Sequence, residues 1–134
     1  MSYGMTITLD QPFDRTMPAV KEALAGQGFG ILTEIDMATT LRAKLGVDTT
    51  AQVILGACNP ALAHRALLAE DSVGLLLPCN VVVRATGADR TVVEALDPAV
   101  MVGLTGNEAL TPVAEEAAAR LRAVLGALEQ QLGG

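Results

Sequence analysis

Between Ala51 and Ala57 the chain reads AQVILGA, apolar on both faces of an extended segment apart from Gln52. A strand with one solvated face alternates. A run apolar on both sides belongs inside a sheet, with both faces covered. This stretch therefore commits the chain to a sheet with an interior strand. Cys58-Asn59-Pro60 closes the strand and opens a helix, since asparagine is a leading N-cap and proline a favoured first helical residue. That helix is expected from Pro60 to about Glu70. Its leucines, Leu62, Leu67 and Leu68, point in three directions, and a helix apolar nearly all round is expected to be buried.

The remaining elements fall on either side. Met5–Leu9 alternates as a short first strand, and Thr16-Met17-Pro18 supplies a cap and a proline where the first helix can start. Met17, Val20 and Leu24 share one face of that helix, which ends at Gly26-Gln27-Gly28. Phe29, Ile31, Thr33 and Ile35 alternate with Gly30, Leu32 and Glu34, a strand with one strongly apolar face. Asp36 can cap a helix carrying Met37, Leu41 and Leu45, which Gly46 stops.

Val73–Leu77 and Asn80–Thr86 read as two strand pieces broken at Pro78, which cannot donate to a ladder. If the helix from Pro60 packs back along the sheet, Val73–Leu77 runs parallel to Ala51–Ala57. Gly87–Arg90 is a hairpin loop into Thr91–Leu96. Asp97-Pro98 starts a short helix to about Val102, and Gly103–Asn107 breaks it. Thr111-Pro112 opens the longest helix, whose stripe is Val113, Ala117, Leu121, Val124, Leu125, Leu128 and Leu132. The expected fold class is α+β: a single two-layer domain over residues 1–134, with one mixed or mostly antiparallel sheet and helices packed on one face.

Charge and composition narrow the function classes. A length of 134 residues fits one domain, and 51% hydrophobic against 18% charged residues excludes disorder. With three aromatics in all, the core must be packed from aliphatic side chains. A net charge of −6 and nine scattered basic residues argue against nucleic acid as a partner, and against an anionic membrane surface. No run of about 18 apolar residues is long enough to span a bilayer. The N-terminal MSYGMTITLDQPFD has neither the basic nor the apolar region of a signal peptide. The expected location is the cytoplasm, where Cys58 and Cys79 stay thiols. A homodimer is expected too, because the two-faced strand and the all-round apolar helix offer more hydrophobic surface than one small domain can cover.

Gly28-Phe29 entering a strand that ends at Ile35-Asp36, then ILGACNP (Ile54–Pro60), Ala63-His64, LLLPCN (Leu75–Asn80) and Asp97-Pro98 together form a pattern running through most of the chain. In this it resembles the bacterial family of domains of unknown function 302. The resemblance implies a compact α+β domain with helices on one sheet, acting as a homodimer. It implies no established activity, so the chemistry has to come from the residues.

The strand pieces flanking the helix from Pro60 have similar lengths, which brings Cys58 and Cys79 to one end of the sheet. Cys58 lies just ahead of a helix N-terminus, where the macrodipole favours a thiolate. Two thiols there suit redox or metal chemistry; buried in apolar surroundings they are merely small hydrophobes. With His64 they make three potential metal donors where structural zinc takes four, and neither Cys-x-x-Cys nor His-Glu-x-x-His spacing occurs, so no metal site is assigned. Asn59 and Pro60 are explained by capping, yet the amides of that helix start also suit an anion or carboxylate. Asp97 is a cap first and an acid–base candidate second.

No GxSxG, P-loop or GxGxxG is present, and the residues name no particular cofactor. The leading expectation is a homodimeric, non-catalytic module binding a small molecule or anion through Cys58, Asn59, Pro60, His64, Cys79, Asn80 and Asp97. The alternative is a thiol-based redox or metal-handling protein using Cys58 and Cys79.

Overall fold

A computed structural model describes residues 2–133. The elements run β1 (Gly4–Leu9), α1 (Phe13–Gly26), β2 (Gly30–Asp36), α2 (Met37–Leu45), β3 (Gln52–Cys58), α3 (Pro60–Ala69), a 3₁₀ segment (Asp71–Leu76), β4 (Cys79–Gly87), β5 (Arg90–Leu96), α4 (Ala99–Thr105), a 3₁₀ turn (Glu108–Leu110) and α5 (Thr111–Leu132). The strands form one sheet in the order β1-β5-β4-β3-β2, and every neighbouring pair is antiparallel. The fold is α+β, as the sequence implied, with β3 inside the sheet between β2 and β4.

Period-two alternation explains the main core. Ile7, Val93, Val83 and Val53 are successive register partners across the sheet, and Val81 and Ala95 pair beside them. Against this face lie Val20 and Leu24 of α1 and Leu121, Val124, Leu125 and Leu128 of α5. Each fully buried aliphatic side chain of this kind contributes about 1.5–3 kcal/mol. The opposite face carries a polar ladder: Thr6 Oγ1 donates to Glu94 Oε2 (3.1 Å), and Arg84 pairs with Glu94 Oε1 (2.9 Å). A second cluster gathers at one end, from Leu62 and Ala66 of α3, Val73, Met101 of α4, and Leu110, Val113, Ala114 and Ala117. Among the described residues no helix is long and apolar enough to cross a membrane.

Four expectations are corrected. Helix α1 starts at Phe13, after Pro12, so Pro12 opens it and Pro18 lies inside. Thr16 is buried and donates its hydroxyl to Pro12 O (2.9 Å) instead of capping. In β2 a bulge between Ile31 and Thr33 shifts the register, so Ile31 pairs with buried Ala57 while Thr33 and Ile35 pair with Gly56 and Ile54 on the other side. One extra residue has split the expected apolar face, because side chains alternate at every step.

Val73–Leu77 is not a strand. Val73 is buried and Leu76 half-buried, a spacing of three that suits a 3₁₀ turn, while Leu75 is 88% exposed. The parallel pairing with β3 therefore does not form. Finally, α3 buries only Leu62 and Ala66, leaving Leu67 and Leu68 exposed, because it covers the end of the sheet on one side only.

Candidate functional site

Strand β3 delivers Cys58 at its last residue, and Asn59 turns the chain directly into α3. Leu62 N–H donates to Asn59 Oδ1 (3.2 Å), so the cap satisfies one of the free amides of the helix start; Pro60 has none to satisfy, and Ala63 N–H makes the first helical bond to Asn59 O (2.9 Å). Asn107 holds the other end of α3. Its Nδ2 donates to Ala69 O (2.8 Å) and Glu70 Oε1 (3.1 Å), while its Oδ1 accepts from Ala109 N–H (2.9 Å). Helix and 3₁₀ segment thus stay at one end of the sheet, and the chain re-enters it through a cis Leu77–Pro78 bond.

Strand β4 begins there with Cys79, the register partner of Ala57. The two cysteines therefore lie one residue off register on adjacent strands at the same end, reached by antiparallel pairing instead of the parallel one. A strand spacing of about 4.8 Å and a rise of about 3.4 Å per residue place such α-carbons roughly 6 Å apart. The one-residue offset directs the two side chains to opposite faces of the sheet, so this α-carbon spacing does not by itself set up a disulfide. Both are free thiols, Cys58 half-buried and Cys79 buried.

Both cysteines border a cavity of about 30 Å³ where the two hydrophobic clusters meet. The sheet side contributes Phe29 and Ala57, and the helical side contributes Leu62, Met101, Val113 and Ala117. Asn59 and Pro78 complete the end nearest the strand termini. Apart from the two thiols and Asn59, every lining side chain is apolar. Burial pushes the Cys79 thiol up from its ordinary value, and the neighbouring Cys58 adds to the shift.

Two glycines permit this closeness. A Cβ on Gly56 would clash with Thr33 and lie 2.8 Å from Pro78, so only glycine lets Pro78 fold over β3. Gly28 has φ +82°, and a Cβ there would lie 2.9 Å from Asn59 Nδ2.

A charged network beside Asn59 was not anticipated. Arg120 donates to Gln27 O (3.1 Å) and to Glu116 Oε2 (3.4 Å), and Arg65 pairs with Glu116 Oε1 (2.9 Å). It ties α3 and α5 to the turn between α1 and β2. The Arg65 hydrogen bond, with the charges of Arg65 and Arg120, holds the Glu116 carboxyl below its ordinary range despite some opposing desolvation. The i,i+4 spacing of Glu116 and Arg120 was visible in the sequence; the cross-helix partner Arg65 carried no signal.

The expected site residues divide. Cys58, Asn59 and Cys79 line the cavity. Pro60 is exposed at the first position of α3, and His64 is exposed and outside the lining. Asn80 alternates with Cys79 and opens with Tyr3, Val82 and Glu94 onto a separate shallow hollow. Asp97 caps α4 through Ala99 N–H (3.0 Å) and borders a groove of about 410 Å³ between α4 and α5. Among the described residues, no three His, Cys, Asp or Glu side chains converge in the way a structural zinc requires.

No curated protein matches the chain. The crystal structure of the uncharacterized conserved protein DUF302 from Bacillus stearothermophilus is similar to it, with a TM-score of 0.86 and 31% sequence identity over 94% of this chain and 98% of that one. The family model for the domain of unknown function DUF302 matches residues 5–128. The chain therefore belongs to the DUF302 family.

Proposed function

We propose that this chain is a homodimeric, non-catalytic binding module of the cytoplasm, with its small-ligand or anion site at the end of the sheet where Cys58-Asn59-Pro60 and Pro78-Cys79-Asn80 meet. The observation carrying this reading is the cavity between the two hydrophobic clusters, lined by both thiols and Asn59. The remaining lining is apolar, so apart from the cysteines no general acid or base faces the space, which favours binding over catalysis. Its about 30 Å³ is far below the several hundred Å³ of a typical organic-ligand pocket, so the occupant is small.

Dimerisation is supported by apolar surface left open along β2 and α2. Leu32 (66% exposed) and Ile35 lie on an edge strand, and Leu45 and Val47 follow in α2 and the loop after it. An edge strand with apolar side chains and unpaired backbone groups invites a second copy. This surface replaces the one expected from β3, whose Val53, Leu55 and Ala57 are buried within the chain.

The thiol-based alternative is favoured by one observation, that both cysteines border the same cavity. Melting of the purified chain with inorganic phosphate, acetate and soft-metal salts tests the binding reading. Ala117→Val, which fills the cavity with two methyl groups, is the control. A rise in Tm that this variant abolishes supports the reading; no shift with any probe counts against it.

A further inference from the structure

We infer that the groove between α4 and α5 is a second binding site, for a linear dipolar molecule of the ω-amino acid type, with an ammonium at one end and a carboxylate at the other. The groove shares no lining residue with the thiol cavity, so the inference stands independently of the reading above. Its volume of about 410 Å³ lies in the range of small-molecule sites, about 300–1,000 Å³. Small side chains create the space. Ala114 and Ala118 are buried one turn apart on α5, and Gly103 and Val102 border the same groove from α4. Residues four apart on a helix lie one above the other, so the floor is a continuous apolar strip. Methylene groups suit such a floor, whereas a polar body laid on it would lose its hydration without gaining partners.

The charges bordering the strip are of both signs. Glu115 and Arg122 stand seven residues apart on α5, about 10.5 Å along the helix axis. Asp97 joins them from the start of α4. Its N–H donates to Tyr3 O (2.9 Å) and its Oδ1 accepts from Ala99 N–H (3.0 Å), which fix its place. Arg42, Arg65, Arg84, Arg90 and Arg120 each pair with a carboxylate. Among the described residues Arg122 pairs with none, although two carboxylates border the same groove, and neither Asp97 nor Glu115 has a cation of its own. Opposite charges held apart over an apolar strip fit a ligand that carries both charges on an aliphatic chain. Its carboxylate meets the Arg122 guanidinium, which can donate two parallel hydrogen bonds, and its ammonium meets Glu115 and Asp97. A simple anion would leave both carboxylates unmatched, and a simple amine would leave the guanidinium unmatched.

The test is a heteronuclear NMR titration of the full-length chain with ε-aminocaproate, beside caproate and hexylamine, which each lack one charged end. The expected result is amide shifts gathered on residues 97–103 and 111–122. Binding of ε-aminocaproate should be about tenfold tighter than that of either one-ended analogue, the value of one charge-assisted hydrogen bond. Arg122→Gln should erase the preference over hexylamine, and Glu115→Gln combined with Asp97→Asn should erase the preference over caproate. Arg122 and Glu115 are exposed, and asparagine caps a helix as aspartate does, so the variants should keep the native spectrum away from the groove. No shifts in the groove, equal binding of a one-ended analogue, or preferences unchanged in the variants would overturn the assignment. Shifts confined to the residues around the thiol cavity would overturn it too, while supporting the reading of that cavity.

Discussion

Asn59 joins two structures: its Oδ1 caps α3, and its Nδ2 lies 2.9 Å from where a Cβ on Gly28 would sit. Asn59→Ala is expected to lower stability by about 1 kcal/mol, the usual value of a lost N-cap. Denaturant midpoints measure this, and a loss several times larger would mean that Asn59 anchors a wider buried network. Cys79 differs from Cys58 in burial, and its thiol is pushed up by desolvation. Below the ordinary thiol value, about 8.5, folded and unfolded chains both hold the proton and stability is unaffected. Above it the unfolded thiol ionises while the buried one stays protonated, so stability falls as pH rises through the folded value. Cys79→Ala should flatten that alkaline loss in melts between pH 8 and pH 10. In the native chain iodoacetamide should label Cys58 first and reach Cys79 only on unfolding; equal rates would contradict the burial.

Among the elements, the strongest periodic signals were legible. The stripe of α5 from Val113 to Leu128 is buried, β3 is interior, the Asp36 and Asn59 caps form, and Gly46 stops α2 in the left-handed region. What failed were elements whose state depends on one residue or on a partner far away. The β2 bulge moves Ile35 to the other face without changing the composition of the strand. Val73–Leu77 is apolar enough for a strand, yet between Asp71 and Pro78 it closes as a 3₁₀ segment and leaves Leu75 in solvent.

Of the expected site, Cys58, Asn59 and Cys79 converge because antiparallel register fixes them; His64, Asn80 and Asp97 are carried elsewhere by helix rotation, strand alternation and chain direction. Asn107 illustrates what spacing cannot reveal. It read as part of a break, but its side chain fastens the end of α3 across 38 residues. Asn107→Ala should cost about 1–3 kcal/mol, since it removes three hydrogen bonds and leaves Ala69 O without that donor. Chemical denaturation checks this, and a change below about 0.5 kcal/mol, typical of an inconsequential surface substitution, would contradict the clamp.

For the whole molecule, two hydrophobic clusters meet at the thiol cavity on one side while β2 and α2 stay thinly covered on the other. Sedimentation at micromolar concentration should give a dimer for the native chain and a 13.8 kDa species for Leu32→Glu. A native monomer would remove the assembly. The central claim is that the Cys58/Cys79 cavity is a binding site and not a packing void. Its most direct measurement is a high-resolution crystal structure of protein purified without reductant or chelator. The expected result is an occupant in the cavity in contact with the Cys58 sulfur. A cavity that is empty, or closed by the side chains of Leu62 and Met101, would contradict it.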